Sequence, residues 1–332
     1  MTERAHGAAG PVEPFTWRDG DRVVRFGRGA LAGAPALVPG PYALLTTPRA
    51  RALAPALVAG AAEVHEVPPG LVEEVSARMR GAVSGAVLVA LGGGRVIDVA
   101  KALAAADPPR RVVAVPTTLS AAEMTTGHRL PAGVDPDTPR VRPAVVVNDP
   151  ALSASQPEPG LVASAMNALG HAVEAPLTPS ANPVATMAAE RAARLLLDAF
   201  QGAEPDRDAL ALGALLAGYA MDSTGYGLHH VAAQTLVRVA GVGHAPANAA
   251  MLPHTIPALA ARSPAAAAGL ERLREGAARL APRAGAARLR DLGVERSLIG
   301  RLAEGAAGRP ELANTPPPAG PDELAAIYES AW

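Results

Sequence analysis

The stretch AVLVALGGGRVIDVAKALAAA, Ala86–Ala106, gives the clearest indication of the fold class. Its first six residues, Ala86–Leu91, are a continuous apolar run, which is typical of a strand buried on both faces. Three glycines follow directly, and Val96–Ala106 is long enough for a crossover helix. The glycines let the backbone approach a bulky ligand, and free N–H groups at a helix N-terminus favour a phosphate. The stretch therefore predicts a strand, a ligand-binding turn and a helix, with an ordinary tight turn as the alternative.

The surrounding sequence repeats this alternation of strand and helix. Strands are predicted at Val23–Phe26, Tyr42–Thr47, Ala62–Val67, Ala86–Leu91, Arg111–Val115 and Ala144–Val147, and crossover helices at Arg49–Ala59, Pro69–Gly81 and Val96–Ala106. Nearly continuous apolar strands that alternate with helices indicate a parallel sheet covered on both faces. The N-terminal part is therefore predicted to be an α/β domain.

A threonine pair follows the next predicted strand, in Val115-Pro116-Thr117-Thr118. Open α/β sheets bind ligands at the carboxyl ends of their strands, which is where both Thr117 and Thr118 lie. A threonine pair alone is more often part of a structural turn. Two such endings on consecutive predicted strands favour a dinucleotide crevice.

The composition of the chain changes after Asp149-Pro150, and Ala, Leu and Arg are then the dominant residues. Candidate helices cover 160–175, 183–201, 207–222, 227–239, 246–261, 267–281 and 320–331. The prediction is an α/β domain over residues 1–156 and an all-helical domain over residues 157–332, and the proline-rich Ala313–Pro321 is interpreted as a rigid connector.

Composition excludes several classes of protein. The 332 residues are 49% hydrophobic and carry a formal net charge of −1, which argues against disorder and against nucleic acid as a partner. The chain has no cysteine, so disulfides, thiolate metal sites and a cysteine nucleophile are excluded. Neither a secretory signal nor a membrane-spanning run is recognised. We expect a soluble, cytoplasmic protein with no membrane partner.

Polar residues in the helical part form a candidate chemical site. Asn167 and His171 are four residues apart and share a helix face, while His230 and His244 lie farther along the chain. Imidazole suits zinc and iron, so these residues predict a divalent-metal site. The alternative for each histidine is a structural role in the core or at a helix end. Spacing alone does not separate the two interpretations.

At these residues the chain resembles the iron-containing alcohol dehydrogenase family, which has the dehydroquinate-synthase-like fold, and especially its maleylacetate reductase branch. The segments that carry the resemblance run nearly end to end. They are FTWRDGDRVVRFGRGAL, LGGGRVIDVAKALA, VPTTLSAAEMT, VVVNDPALSASQP, MNALGHAVEA, GLHH, GHAPANAAMLPH, LRDLG and ANTPPPAGPDELAAIYESAW. The resemblance implies a Rossmann-like dinucleotide-binding domain, a C-terminal helical domain and a nicotinamide cofactor held between them.

The resemblance also implies roles for particular residues. The cofactor contacts are Gly92, Gly93, Gly94, Arg95, Asp98, Thr117 and Thr118, and the positions of the family's metal ligands are Asn167, His171, His230 and His244. Asn167 stands where metal-dependent members have aspartate, as it does in maleylacetate reductases, and a neutral amide weakens the hold on a dication. Gln234 stands where the family usually has a histidine, near the reacting carbon. No acidic ribose contact follows the second strand, where Thr46-Thr47-Pro48-Arg49 stands instead, so the cofactor is expected to be NADH or NADPH.

The function expected from this resemblance is an NAD(P)H-dependent reductase. Hydride would pass to an oxo or enone carbon of a small-molecule carbonyl substrate, and His171, His230 and His244 would be the catalytic residues that stabilise the developing charge. For a dicarboxylate substrate, His128 and Arg129 are candidate cations. Alternatives are a zinc- or iron-dependent alcohol or aldehyde dehydrogenase and a nucleotide-binding homologue without dehydrogenase activity. The resemblance also implies a homodimer.

Overall fold

The computed structural model of the protein describes residues 12–285 and 287–332. The chain forms two compact units. Of the described residues, the sheet unit comprises those up to Thr117 together with His128–Ala154 and Arg194–Gly213, and the helical unit comprises Thr118–Gly127, Ser155–Ala193 and those from Ala214 to Trp332. Each unit therefore contains more than one stretch of the chain, and the domain boundary after residue 156 stays a prediction.

A seven-stranded sheet forms the centre of the sheet unit in the described residues. Its strands are β1 (Phe15–Asp19), β2 (Arg22–Phe26), β3 (Ala43–Thr46), β4 (Glu63–Glu66), β5 (Val87–Gly92), β6 (Arg111–Pro116) and β7 (Val145–Asn148). They lie in the order β1-β2-β7-β6-β5-β3-β4, and every neighbouring pair is parallel except β1 with β2. The fully buried strands β3, β5 and β7 carry the near-continuous apolar runs that a parallel sheet requires.

The strand order places a topological switch point between β3 and β5. The chain leaves β3 for its outer neighbour β4, then returns to β5 on the other side of β3 and continues outward to β6 and β7. In open α/β sheets, ligands bind outside the carboxyl ends of the strands at such a point. The glycine turn after β5 lies at this edge.

The helices of the first half of the chain are short except one. They are α1 (Ala34–Leu37), α2 (Pro48–Arg51), α3 (Pro55–Ala59), α4 (Val72–Met79) and α5 (Gly94–Ala106). The single helix predicted over Arg49–Ala59 is wrong, because Pro55 disfavours helical backbone at Ala54, which has φ −139° and ψ 63°. The apolar core of the sheet unit includes the strand residues Leu44, Val89, Leu91 and Val113.

The rest of the chain is helical in the part that the structure describes. Its α-helices are α6 (Glu158–Glu174), α7 (Pro183–Asp198), α8 (Arg207–Thr224), α9 (Leu228–Ala240), α10 (His244–Arg262), α11 (Ala267–Leu280), α12 (Ile299–Ala307) and α13 (Pro321–Ala331). Within the helical unit, α10 packs against α6, α9, α11 and α13. The predicted fold class, a parallel α/β sheet with an all-helical part, is confirmed. None of the described helices is long and apolar enough to cross a membrane.

Candidate active site

The glycine turn of the sheet unit is built for close backbone approach. β5 ends at Gly92, and α5 begins at Gly94 with Gly93 in extended backbone as its N-cap. A Cβ on Gly92 would lie 2.6 Å from Val96 Cγ2, so a side chain does not fit there. The amide of Thr117 donates to the carbonyl of Gly92 at 2.9 Å and ties the end of β6 to the turn. The free N–H groups of the first turn of α5 thus face the edge at which an anion is expected.

Charged side chains accompany this turn. Asp98 lies one turn into α5, and its Oδ1 is 2.8 Å from Nζ of the fully buried Lys101. Arg95 is exposed in the first turn of α5, which has no acidic residue. A cation at a helix N-terminus is repelled by the positive end of the helix dipole. A bound anion would be attracted by both the Arg95 guanidinium and the dipole. This local charge arrangement favours a phosphate ligand.

A second cation spans the same edge of the sheet. Thr47 caps α2 by accepting from the amide of Ala50, which sets the direction in which the chain leaves β3. The exposed Arg49 then donates from Nη2 to Thr117 Oγ1 at 3.1 Å, so its guanidinium reaches from the end of β3 to the end of β6. Thr117 is fully buried and Thr118 is half-buried. Arg49, the glycine turn and Thr117 are therefore neighbours at the switch point.

In the helical unit, a buried carboxylate holds His230. Glu174 at the end of α6 accepts from His230 Nδ1 at 2.6 Å, and its two oxygens also accept from the backbone amides of His229 and His230. The two backbone amide donors favour the ionised form of Glu174, and with the carboxylate ionised the Nδ1 of His230 carries the proton and its Nε2 has a lone pair. That Nε2 is buried without a hydrogen-bond partner in the described chain. Glu174 therefore fixes the tautomer of His230.

Three rings enclose the ring of His230. His171 stacks on it with centroids 4.4 Å apart and planes 26° from parallel, His229 stands edge-on at 4.8 Å, and Tyr226 lies tilted at 5.9 Å. Burial lowers the pKa of His171 well below its usual value, and it lowers the pKa of His229 and of His230 to about 3. Burial also raises the pKa of Glu174, against the effect of its amide donors. The three buried histidines are therefore neutral at neutral pH.

The predicted ligand residues are brought together unequally. Asn167 lies one turn before His171 on α6, and the buried Asn167 Oδ1 and His171 Nδ1 have no hydrogen-bond partner among the described residues. His244 differs, because it is exposed at the first residue of α10, with its Nε2 3.4 Å from Asn248 Nδ2. After burial, repulsion from the protonated form of His244 is a further cause that lowers the pKa of His171 and of His230.

These residues do not fit a divalent metal. A metal ion lies in or near the plane of each imidazole ring that binds it, and two nearly parallel rings 4.4 Å apart do not direct their nitrogens at one ion. Asn167 supplies a neutral oxygen in place of a carboxylate, which weakens the hold on a dication. Within residues 12–285 and 287–332, no group of three or more His, Asp and Glu side chains could hold a metal ion.

Gln234 lies one turn after His230 on α9 and belongs to a polar network. Its Oε1 accepts from Arg309 Nη2 at 3.0 Å and lies 3.4 Å from the Tyr226 hydroxyl. Arg309 also binds both carboxylate oxygens of Glu311, and this pairing lowers the pKa of Glu311 to about 2. The network joins α9 to the loop after α12 through side chains that the sequence analysis did not single out. Glu174 was missed too, although a carboxylate three residues after His171 on an apolar helix was a signal.

The candidate cation His128 is neutral at pH 7. Its Nδ1 is 2.9 Å from the carbonyl of Arg129, and its Nε2 accepts from the amide of Val141 at 3.2 Å. Burial lowers the pKa of His128 to about 4. Its predicted role as a cation for a dicarboxylate is therefore wrong, whereas Arg129 is an exposed guanidinium and keeps that role as a prediction.

Comparisons with known proteins show what the chain is similar to. Residues 161–281, which carry Asn167, His171, Glu174, His230 and Gln234, match the family model described as Fe-containing alcohol dehydrogenase family, C-terminal. Maleylacetate reductase 1 of Rhodococcus opacus is 38% identical over 178 residues, which are 51% of this chain and 50% of the relative. The chain spans about half the length of the curated relatives that it matches.

Solved structures extend the similarity to nearly the whole chain. The maleylacetate reductase of Rhizobium sp. strain MTP-10005 has a TM-score of 0.81 at 28% identity and covers 96% of this chain and 98% of its own. The maleylacetate reductase of Agrobacterium tumefaciens has a TM-score of 0.80 at 28% identity, and the match covers 97% of this chain and 99% of that one. The resemblance of the chain to the iron-containing alcohol dehydrogenase family is confirmed, and its similar proteins include maleylacetate reductases.

Proposed function

We propose that the protein is an NAD(P)H-dependent reductase of the maleylacetate reductase type. It would reduce an oxo or enone carbon of a small carbonyl substrate, with a dicarboxylate as the expected class. The observation that carries the proposal is the buried set Asn167, His171 and His230, which is neutral, lacks a metal-binding carboxylate and keeps ring nitrogens without partners. Such a set suits hydrogen bonding to a polar substrate rather than metal binding.

The sheet unit would hold the cofactor. The pyrophosphate fits the amides at Gly92, Gly93 and Gly94, where a Cβ at Gly92 would close the turn, and Arg95, Asp98, Thr117 and Thr118 would border it. The missing acidic residue after β3 and the position of Arg49 support NADPH as well as NADH. Bound there, the reduced nicotinamide supplies a hydride, which brings two electrons to the substrate carbon.

The residues of the helical unit would manage charge and protons. When hydride adds to an oxo carbon, or to a double bond conjugated with it, the electron pair moves to the oxo oxygen. His171 and His244 would line the substrate pocket near this charge. His230, held by Glu174 with its lone pair on Nε2, would orient the water that supplies the proton and completes the reduction. The substrate is a small molecule, and the assembly that we propose is a homodimer.

The deciding experiment is oxidation of NADH and of NADPH by chelator-treated protein with maleylacetate as the acceptor. We expect turnover without added metal. Nucleotide binding without turnover would favour the homologue that has no dehydrogenase activity. Activity that is lost on chelation and restored by zinc or iron would contradict the metal-independent mechanism.

A matched pair of variants tests the site itself. His230→Gln should lower kcat by about 100-fold or more, because the group that orients the proton-donating water is removed. His254→Gln makes the same change at a half-buried histidine of α10 whose Nδ1 is 3.1 Å from Ser330 Oγ, and it should keep turnover. Equal losses in both variants would contradict the assignment. Light scattering should give twice the chain mass if the dimer forms.

A further inference from the structure

We infer that Gln234 donates a hydrogen bond from its amide nitrogen to the oxo oxygen of the substrate during reduction, and that Arg309 positions it for this. The inference rests on the proposed function and names a further hydrogen-bond donor for that site. Its starting point is His230. Because His230 Nδ1 donates to Glu174 Oε2 at 2.6 Å, the acceptor atom of the ring is Nε2, which has no partner among the described residues.

The charge that develops on the substrate oxygen can therefore take a further donor beside those of His171 and His244. Gln234 follows His230 by four residues on α9, so the two side chains share one face of the helix. Tyr226 connects them, since its ring lies 5.9 Å from the ring of His230 and its hydroxyl is 3.4 Å from Gln234 Oε1. Gln234 is thus beside the histidine that serves the substrate.

Arg309 determines which end of the amide is available. A guanidinium only donates hydrogen bonds, so the amide atom that faces Arg309 Nη2 at 3.0 Å must be the oxygen. The Glu311 carboxylate holds the guanidinium through Nε at 3.0 Å and Nη2 at 2.9 Å, which fixes its orientation. With Oε1 occupied, the half-buried side chain presents its NH₂ group, which donates to no acceptor among the described residues.

An amide donor differs from an imidazole donor in one measurable way. The NH₂ group of glutamine does not titrate in the physiological range, so its hydrogen bond to the substrate is available at every working pH. The chain therefore gains a donor whose strength is independent of pH at this position. Gln234→His should restore a titrating ring, and kcat should then show an ionisation that the wild-type profile lacks.

The first test compares kcat and KM for maleylacetate in full-length variants. Gln234→Leu should lower kcat by about 100-fold and change KM by less than about threefold, because the donor acts on charge that develops only in the transition state. Gln234→Glu should lower kcat at least as much, yet leave the melting temperature no lower, since a carboxylate still accepts from Arg309. Gln201→Glu, on an exposed glutamine of the sheet unit, is the matched control and should keep wild-type kcat. Wild-type kcat in Gln234→Leu, or a rise in KM alone, would overturn the inference.

The positioning role of Arg309 has its own test. Arg309→Met should lower kcat in the wild-type background, because the amide is then free to turn its oxygen towards the substrate. In the Gln234→Leu background the same substitution should have no further effect on kcat, since its action passes through Gln234. Independent, multiplicative losses would show that Arg309 does not act through Gln234.

A binding measurement separates this inference from the proposed function. The side-chain amide signal of Gln234 in a ¹⁵N spectrum is identified by its loss in Gln234→Leu. In the complex with oxidised cofactor, which has no hydride to give, added maleylacetate should shift this signal and leave that of Gln201 unchanged. A shift without turnover in the reducing assay would reject the proposed function alone. No shift on saturation with maleylacetate would reject the role of Gln234 whether or not the enzyme turns over.

Discussion

Gly170 shows how a missing side chain makes room for the histidine cluster. A Cβ at this position would lie 2.6 Å from two atoms of the His229 ring and 3.2 Å from His230 Cε1. Both rings are buried, so neither can move without loss of packing. We expect Gly170→Ala to lower the free energy of unfolding by about 1–3 kcal/mol and to reduce kcat, as measured by urea denaturation and by the reductase assay.

The same helix supplies the control for this substitution. Gly160 lies in the first turn of α6, and a Cβ there would meet only the side chain of Gln156 at 3.5 Å, an ordinary contact. Gly160→Ala should therefore leave kcat unchanged and raise stability by up to about 1 kcal/mol. Equal effects of the two substitutions would show that the close approach of Gly170 to the rings has no consequence.

Glu174 is the residue on which the tautomer of His230 depends. In Glu174→Gln, an NH₂ group would face the backbone amides and the Nδ1–H that the carboxylate now accepts. A buried donor that faces other donors lowers the free energy of unfolding by about 1–3 kcal/mol. The tautomer of His230 with its proton on Nε2 also becomes more favourable. We expect lower stability, a fall in kcat of at least tenfold, and a changed imidazole ¹⁵N spectrum for His230. The exposed Glu275→Gln on α11 should change none of these.

Part of this site was predictable from local spacing. Asn167 and His171 share a helix face by their separation of four, and the resemblance supplied His230 and His244. The partners of Gln234 were not predictable, because the Tyr226–Glu311 and Gln234–Arg309 contacts join residues 85 and 75 positions apart. The periodicity of hydrophobic residues along a helix or strand does not predict hydrogen bonds between residues so far apart in the sequence. The departure of Gln234 from the family pattern was visible, but its hydrogen bonds required the fold.

At the scale of elements, α2 and the glycine turn should determine cofactor preference. Arg49 on α2 places its guanidinium at the switch point between β3 and β5, where a 2′-phosphate would bring two negative charges. A charge-assisted hydrogen bond contributes about 1.5–3 kcal/mol, which corresponds to about tenfold or more in affinity. Arg49→Ala should therefore raise KM for NADPH by about tenfold and KM for NADH by less than about threefold.

The control for this prediction lies on the same helix. Arg51 is also exposed on α2, but its Nη1 is 3.9 Å from Glu66 Oε1, a contact towards β4 rather than towards Thr117. Arg51→Ala should leave both KM values close to those of the wild type. Equal changes for NADH and NADPH in Arg49→Ala would mean that Arg49 does not contact the 2′-phosphate.

The sequence predicted elements well where their signal was local. Six predicted strands became β2 to β7 within about a residue at each end. The strand β1 was missed, although its side chains alternate between half-buried and exposed like those of the predicted edge strand β4. The helix α12, Ile299–Ala307, was also missed. It is only nine residues long and follows a region of short turns, so its pattern spans little more than two helical turns.

For the whole molecule, the fold class followed from the order of strands and helices, whereas the membership of the two units did not. Arg194–Gly213 belongs to the sheet unit and Thr118–Gly127 to the helical unit. Each stretch is flanked along the chain by residues of the other unit. Such membership depends on long-range packing, which composition and periodicity do not report.

The buried histidines make the stability of the whole molecule dependent on pH. Their pKa values are about 6.5 in the unfolded chain. The folded pKa is about 3 for His229 and for His230, and it is well below 6.5 for His171. Below about pH 6.5 the unfolded state binds protons that the folded state excludes, so the free energy of unfolding falls as the pH falls.

The expected slope follows from counting these protons. Three histidines that stay neutral in the folded state each contribute about 1.4 kcal/mol per pH unit, and the raised pKa of Glu174 acts in the opposite direction. Urea denaturation between about pH 7 and pH 5 should therefore show a loss of about 3 kcal/mol per unit below pH 6. His229→Gln should reduce that slope by about a third, whatever its effect on stability at neutral pH. A flat profile over this range would mean that the three rings are protonated in the folded protein, and then His230 would be a donor rather than an acceptor at Nε2.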